Sequence, residues 1–167
     1  MSPATPTISL SPVTLADLDN LVALRIAAMR PSLERLGRFD PQRARERLAH
    51  GFAPEHTRYI DCLGQHVGFV ALKPQEPFWL LDHLYIAPEH QGLGLGSATL
   101  RLIIANANAA NKALRVGALR GSDSHRFYQR HGFLLEREDE WDIYYVRPAN
   151  PTANPDSAAS AGKTSLV

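Results

Sequence analysis

Residues 80–100 read LLDHLYIAPEHQGLGLGSATL, and this stretch decides the fold. A strand-like run, Phe78–Ala87, stops at Pro88. Three glycines follow at alternate positions, Gly92, Gly94 and Gly96, and a mostly apolar run suited to a buried helix, Ser97–Ala109, begins at once. Glycine lets the backbone take positive φ and lets a ligand approach with no Cβ in the way. The N–H groups of residues 92–97 then converge at the positive end of a helix dipole, which makes an anion site. The plain alternative is a ligand-free, glycine-rich turn. Two anion classes are excluded by what is missing. A nucleotide P-loop ends in Gly-Lys-Ser/Thr, whereas Gly96 is followed by Ser97 and Ala98. A dinucleotide fingerprint needs G-x-G-x-x-G with an acid about 20 residues on, and the chain offers G-x-G-x-G and Val116.

Working outward, strand and helix periodicities alternate. Ile8–Val13 reads as a strand. Thr14, three residues before Asp17, signals a capping box, and Leu15, Leu18, Leu21/Val22, Arg25/Ile26 and Met29 recur at helical spacing. Pro31 is expected to end or kink that helix. Asp40-Pro41 opens a second helix that stops before Gly51. Thr57–Leu63 and His66–Lys73 flank Gly64-Gln65 and read as a hairpin. Beyond the glycine loop come a strand, Leu114–Leu119, and a short helix, Asp123–His131, closed by Gly132. A last hairpin pairs Phe133–Glu136 with Trp141–Val146. The order β-α-α-β-β-β-α-β-α-β-β predicts a mixed α/β (α+β) domain with one central sheet.

The pattern Q-x-x-G-x-G at Gln91–Gly96, after a strand ending in Ala-Pro, resembles the acyl-CoA pyrophosphate loop of the GNAT superfamily of N-acetyltransferases. The segment SDSHRFYQRHGF, residues 122–133, is similar to that family's second motif, a short helix carrying Phe-Tyr and closing with Gly-Phe. The motifs lie 37 residues apart, from Gln91 to Tyr128, and the resemblance covers residues 8–147. Many members carry Asn and Ala seven and four residues before the Tyr, where this chain has Gly121 and Ser124, which weakens any side-chain amide contact to the pantetheine arm. The resemblance implies a mixed, mostly antiparallel sheet of six to seven strands flanked by about four helices. It implies acetyl-CoA as acyl-donor substrate and direct attack by a primary amine.

By the same resemblance the donor is held by Gln91, Gly92, Leu93, Gly94, Leu95, Gly96 and Ser97, with Leu84, Tyr85 and Ile86 beside the pantetheine and Ser124 and Phe127 near it. A bulge in the strand before the loop frees a main-chain N–H of Tyr85 or Ile86 for the developing oxyanion. Tyr128 is the implied general acid toward the leaving thiolate; packing on the cofactor is its alternative role. Asp82 and His83, on opposite faces of the strand, are the candidate bases, Asp82 ranked first, and either can equally be a structural residue. The segment MRPSLERLGRFD, residues 29–40, walls the implied acceptor pocket. There Glu34 suits a cationic substrate, and Arg30, Arg35 and Arg38 suit a carboxylate, against the plainer reading of a solvated helix face. Trp79 and Trp141 read as packing or pocket lining.

Composition bounds the rest. The 167 residues match about one domain, of which folding buries roughly 69% of the unfolded chain's area. Hydrophobic residues make up 44% and charged residues 21%, which excludes wholesale disorder. A net charge of +1, from 18 basic and 17 acidic side chains, disfavours nucleic acid as a partner. The lone Cys62 forms no internal disulfide and reads as an inert core thiol. The seven histidines show no metal-ligand spacing, so no metal is expected. No secretory leader and no membrane span is read, so a cytoplasmic protein is expected. One domain over 1–147 and a disordered tail over 148–167, PANPTANPDSAASAGKTSLV, complete the outline, and a homodimer is left open. The competing function is a non-catalytic acyl-CoA-binding sensor; Tyr128 with Asp82 and His83 favours the enzyme. The acceptor, small amine or peptide, is not read from the sequence.

Overall fold

Helix starts and stops follow short local signals. The computed structural model describes residues 4–149, so the tail expected over 148–167 lies, from residue 150 on, outside the described residues. The first strand, β1 (Ser9–Pro12), leads to Thr14. The Thr14 hydroxyl accepts from the Ala16 N–H at 3.2 Å, and the Asp17 carboxylate accepts from the Thr14 N–H at 2.8 Å. This capping box starts one 3-10 turn, Leu15–Asp17, which runs straight into helix α1 (Leu18–Arg35). Asp40 opens α2 (Pro41–His50), its Oδ1 accepting from the N–H groups of Gln42 and Arg43 at 3.1 and 3.2 Å.

Pro31 does not end α1. It removes the donor for the Ala27 carbonyl, yet the helix continues to Arg35. The stop comes at Gly37, where the N–H groups of Arg38 and Gly37 close back on the carbonyls of Leu33 and Glu34 at 2.8 and 3.0 Å. The buried residues of α1, Leu21, Val22 and Arg25, all precede Pro31.

The remaining elements are β2 (Thr57–Cys62), β3 (Gln65–Pro74), β4 (Phe78–Ile86), α3 (Leu95–Ala109), β5 (Ala113–Leu119), α4 (Ser124–Arg130), β6 (Leu134–Glu138) and β7 (Asp142–Arg147). The strands form one seven-stranded sheet in the order β1-β2-β3-β4-β5-β7-β6. It is mixed: β4 and β5 are parallel, while β1-β2, β2-β3, β5-β7 and β6-β7 are antiparallel. The element order is the one the sequence predicts. The first hairpin turns one residue earlier than expected, on Leu63 and Gly64 at φ 51° and 77°. Both central residues take positive φ, the geometry that matches strand twist, and Leu63 is 97% exposed there. Cys62 ends β2 half-buried, rather than lying in the core.

The chain divides into two compact units: the residues up to Ala71 with His83–Thr99, and Leu72–Asp82 with the residues from Leu100 on. In the first, α1 packs on α2, and Val13, Leu21, Val22, Leu48, Tyr59 and Phe69 form a buried cluster edged by Tyr85. In the second, Leu81, Leu100, Ile103, Leu114, Val116, Phe133 and Tyr145 are buried. Each such aliphatic side chain contributes about 1.5–3 kcal/mol on burial.

Candidate functional site

In the first unit the glycine loop has the conformation an anion cradle needs. Gly92 and Gly94 sit at φ 79° and 81°, where side chains of L-residues are strained. Gly96 does not share this role, because α3 begins at Leu95 and takes Gly96 into its first turn. A Cβ on Gly92 would meet nothing within 4 Å, and one on Gly94 only the Pro6 ring at 3.6 Å. Backbone conformation therefore demands these glycines, not crowding within the chain. The Ala98 N–H donates to the Gly94 carbonyl at 3.0 Å, so the N–H groups of Leu95, Gly96 and Ser97 come before the first full helical bond. Leu95 is buried and anchors the helix start, while Leu93 is 62% exposed at the loop's tip. The Gln91 amide donates to the Ile86 carbonyl at 2.9 Å and ties the loop to the end of β4.

The end of β4 lies in the same unit. His83 is buried, with ring centroids 6.1 Å from Phe69 and 5.8 Å from Tyr85. Alternation puts His83 and Tyr85 on one face and Leu84 on the other. The Ala87 N–H donates to the Val67 carbonyl at 2.8 Å. Gly68 touches this strand so closely that a Cβ would lie 2.1 Å from the Tyr85 carbonyl oxygen. Sequence reasoning missed Gly68; the signal was a glycine inside an otherwise β-branched and aromatic run, which marks close backbone approach. It also missed Arg25, which hides within the apolar stripe of α1 at 8% exposure. The acceptor-side candidates Arg30 and Glu34 form an exposed i,i+4 pair at 2.6 Å, with the Arg30 guanidinium 4.7 Å from the Phe39 ring. They neutralise each other, as a solvated helix face does.

The second unit holds Asp82, Trp79, Ser124, Phe127 and Tyr128. Pairing of β4 with β5 runs from Phe78↔Ala113 to Leu81↔Val116, and β4 continues to Ile86 beyond it. Trp79 is half-buried opposite Leu114. The Asp82 carboxylate pairs with the Lys73 ammonium at 2.9 Å, both side chains about four-fifths covered, and Lys73 is another residue the sequence reading overlooked. Tyr128, on α4, is buried among rings: centroids lie 5.2 Å from Phe127, 5.3 Å from Phe133 and 6.0 Å from Tyr145. The His125 Nδ1 and the Tyr145 hydroxyl are 2.5 Å apart. Burial, then the charge of Glu138, pushes the Tyr145 hydroxyl above its ordinary pKa. Ser124 opens α4 and is half-buried. Among the described residues no group of three or more His, Cys, Asp or Glu side chains is arranged to hold a metal, and no helix is long and apolar enough to cross a membrane.

Comparison with known proteins bears on this arrangement. Residues 54–134 match the family model described as an acetyltransferase (GNAT) domain. The fold is similar to that of the PaiA N-acetyltransferase of Thermoplasma acidophilum, solved in complex with coenzyme A: TM-score 0.69, 16% identity, covering 85% of this chain and 99% of that one. It is similar to an acetyltransferase of Thermus thermophilus: TM-score 0.68, 21% identity, 87% and 99% covered. It is also similar to the ribosomal-protein-S18-alanine N-acetyltransferase of Escherichia coli: TM-score 0.64, 15% identity, 89% and 99% covered. Residues 54–134 thus match a GNAT acetyltransferase domain, and the fold across most of the chain is similar to that of these acetyltransferases.

Proposed function

We propose that the protein moves the acetyl group of acetyl-CoA to a primary amine by direct attack in a ternary complex. One observation carries the reading: Gly92 and Gly94, both in the left-handed region, open straight into the 15-residue helix α3. Main-chain donors at a helix N-terminus suit a pyrophosphate, and they need no lysine. A relative of the same fold was solved with coenzyme A, and another is by name an N-acetyltransferase for alanine of a ribosomal protein, which supports the same donor and acceptor class here.

In the proposed reaction the neutral amine nitrogen attacks the thioester carbonyl carbon. A main-chain N–H of Tyr85 or Ile86 steadies the developing oxyanion. The C–N bond forms, the C–S bond breaks, and Tyr128 hands its hydroxyl proton to the departing sulfur, whose conjugate acid lies about 1.5 units below tyrosine in pKa. An alkyl amine has a pKa near 10.4, so a base must take its proton first. Asp82 and His83 are the proposed bases. The proposed compartment is the cytoplasm.

The test is release of the CoA thiol from acetyl-CoA by purified protein against a panel of amines. Amine-dependent thiol release supports the reading. Tight acetyl-CoA binding with no turnover would favour a sensor instead, and no binding at all would overturn both.

A further inference from the structure

Arg25 lies mid-way along α1, in the stripe that includes Leu21 and Val22, and is 8% exposed. Its Nη1 donates to the Ala44 carbonyl of α2 at 2.9 Å, and its guanidinium carbon sits 5.8 Å from the Tyr85 ring centroid. Its Nε is buried and meets no acceptor. No carboxylate pairs with Arg25 among the described residues. The acids on α1 and at its start are committed elsewhere: Asp17 accepts from Thr14 and Tyr59, Asp19 pairs with Arg45 at 2.7 Å, and Glu34 pairs with Arg30.

A buried full charge is costly without a counter-ion. One carbonyl and one ring face use only part of a guanidinium that carries five donors. A staple between α1 and α2 needs a single donor and no charge. The position is telling as well: Tyr85, under the guanidinium, stands two residues before Ala87, where β4 gives way to the glycine loop. An anion there lies beside the strand end at which the acyl group is proposed to react.

We propose that Arg25 anchors an anionic group of the acceptor, a carboxylate, so that the preferred substrate carries both an amine and an acid. This inference rests on the acetyl-transfer reading above. The same chemistry could come from a phosphate of the donor, but the loop N–H groups already suit those, and the acceptor is the assignment made.

The experiment compares kcat/KM for β-alanine, γ-aminobutyrate and 6-aminohexanoate, each against its own amide, in wild type, Arg25→Gln and Arg25→Lys. Each pair keeps the amine and changes only the acid. Wild type should prefer at least one acid over its amide by roughly 10–100-fold, the worth of a hydrogen bond to a charged group. Arg25→Gln should bring that ratio near one with affinity for coenzyme A unchanged, and Arg25→Lys should keep part of it. Equal use of acids and amides by wild type overturns the proposal, as does a preference that survives in Arg25→Gln. A tenfold loss of coenzyme A affinity with the ratio intact overturns it in favour of the donor phosphate. If Arg25→Gln does not fold, the wild-type ratio and Arg25→Lys decide. If coenzyme A binds but no amine is acetylated, the acetyl-transfer reading fails by itself. Calorimetric titration of the coenzyme A complex with 6-aminohexanoate and its amide then decides for or against Arg25 as a carboxylate anchor.

Discussion

The Phe133 N–H donates to the Tyr128 carbonyl at 3.1 Å, and the Phe133 ring meets the Tyr128 ring edge-on with centroids 5.3 Å apart. Between them the Gly132 N–H closes on the Gln129 carbonyl, also at 3.1 Å. This pair of bonds with a hydrophobic contact across it is a Schellman motif, and Tyr128 is the helix residue on which it closes. The Gly-Phe that ends the second motif thus holds the side chain proposed as acid.

Gly132 sits at φ 86°, with space for a Cβ 3.5 Å from the Arg147 Nε. Gly132→Ala should therefore cost roughly 1–2 kcal/mol through backbone strain alone. Thermal unfolding reads the loss, and kcat should fall with coenzyme A affinity unchanged, because Tyr128 is misplaced while the loop is intact. An unchanged melting temperature would remove the Schellman argument.

Tyr128→Phe deletes one oxygen and keeps the ring packing. On the acid reading kcat falls by about 10²–10⁴-fold while affinity for acetyl-CoA holds. Tyr128→Ala should add a stability loss of about 3–5 kcal/mol from the cavity left against Phe133 and Tyr145. Normal kcat in the Phe variant would assign Tyr128 to packing.

For the loop, Gly94→Val should fold and lose coenzyme A binding by at least ~10-fold, since a β-branched residue resists positive φ and the cradle must reshape. Binding is measured by calorimetry, with circular dichroism as the check on folding. Retained affinity would move the donor site elsewhere.

The proposed bases are told apart by which substitution removes the low-pH limb of the rate profile. Asp82→Asn and His83→Gln, each profiled against pH, should abolish the limb that belongs to the base and leave the other variant's profile normal in shape. Two unaltered limbs would exclude both residues.

The Thr14 main-chain N–H holds the Asp17 carboxyl below its ordinary value of 3.8, with the Tyr59 hydroxyl adding to the effect. A lowered folded-state pKa means the ionised form favours the native state. That stability is present above 3.8 and is lost as pH falls through the lower folded value. Asp17→Asn keeps an oxygen for the cap and removes the charge. Its melting temperature should fall less than that of wild type as pH is lowered from about 5 to about 3. A parallel fall in both proteins would refute the linkage.

What the sequence by itself determined about this protein was everything that acts over a few residues. Thr14 and Asp17 form their cap, Asp40-Pro41 starts α2, and Gly132 closes α4, because each bond joins neighbours along the chain. Gly92 and Gly94 were legible for the same reason: positive φ is a property of one residue. At Pro31 the local signal left two outcomes open, an end or a kink, and only the folded helix, continuous to Arg35, decided against the end. Only the tertiary structure decided which side chains lose water and which meet across strands and helices. Arg25 meets Ala44 and Tyr85, Lys73 meets Asp82, and Gly68 meets the Tyr85 carbonyl through contacts between separate elements that no periodicity encodes. The cost of a buried charge depends on what surrounds it, and those surroundings exist only once the chain has folded.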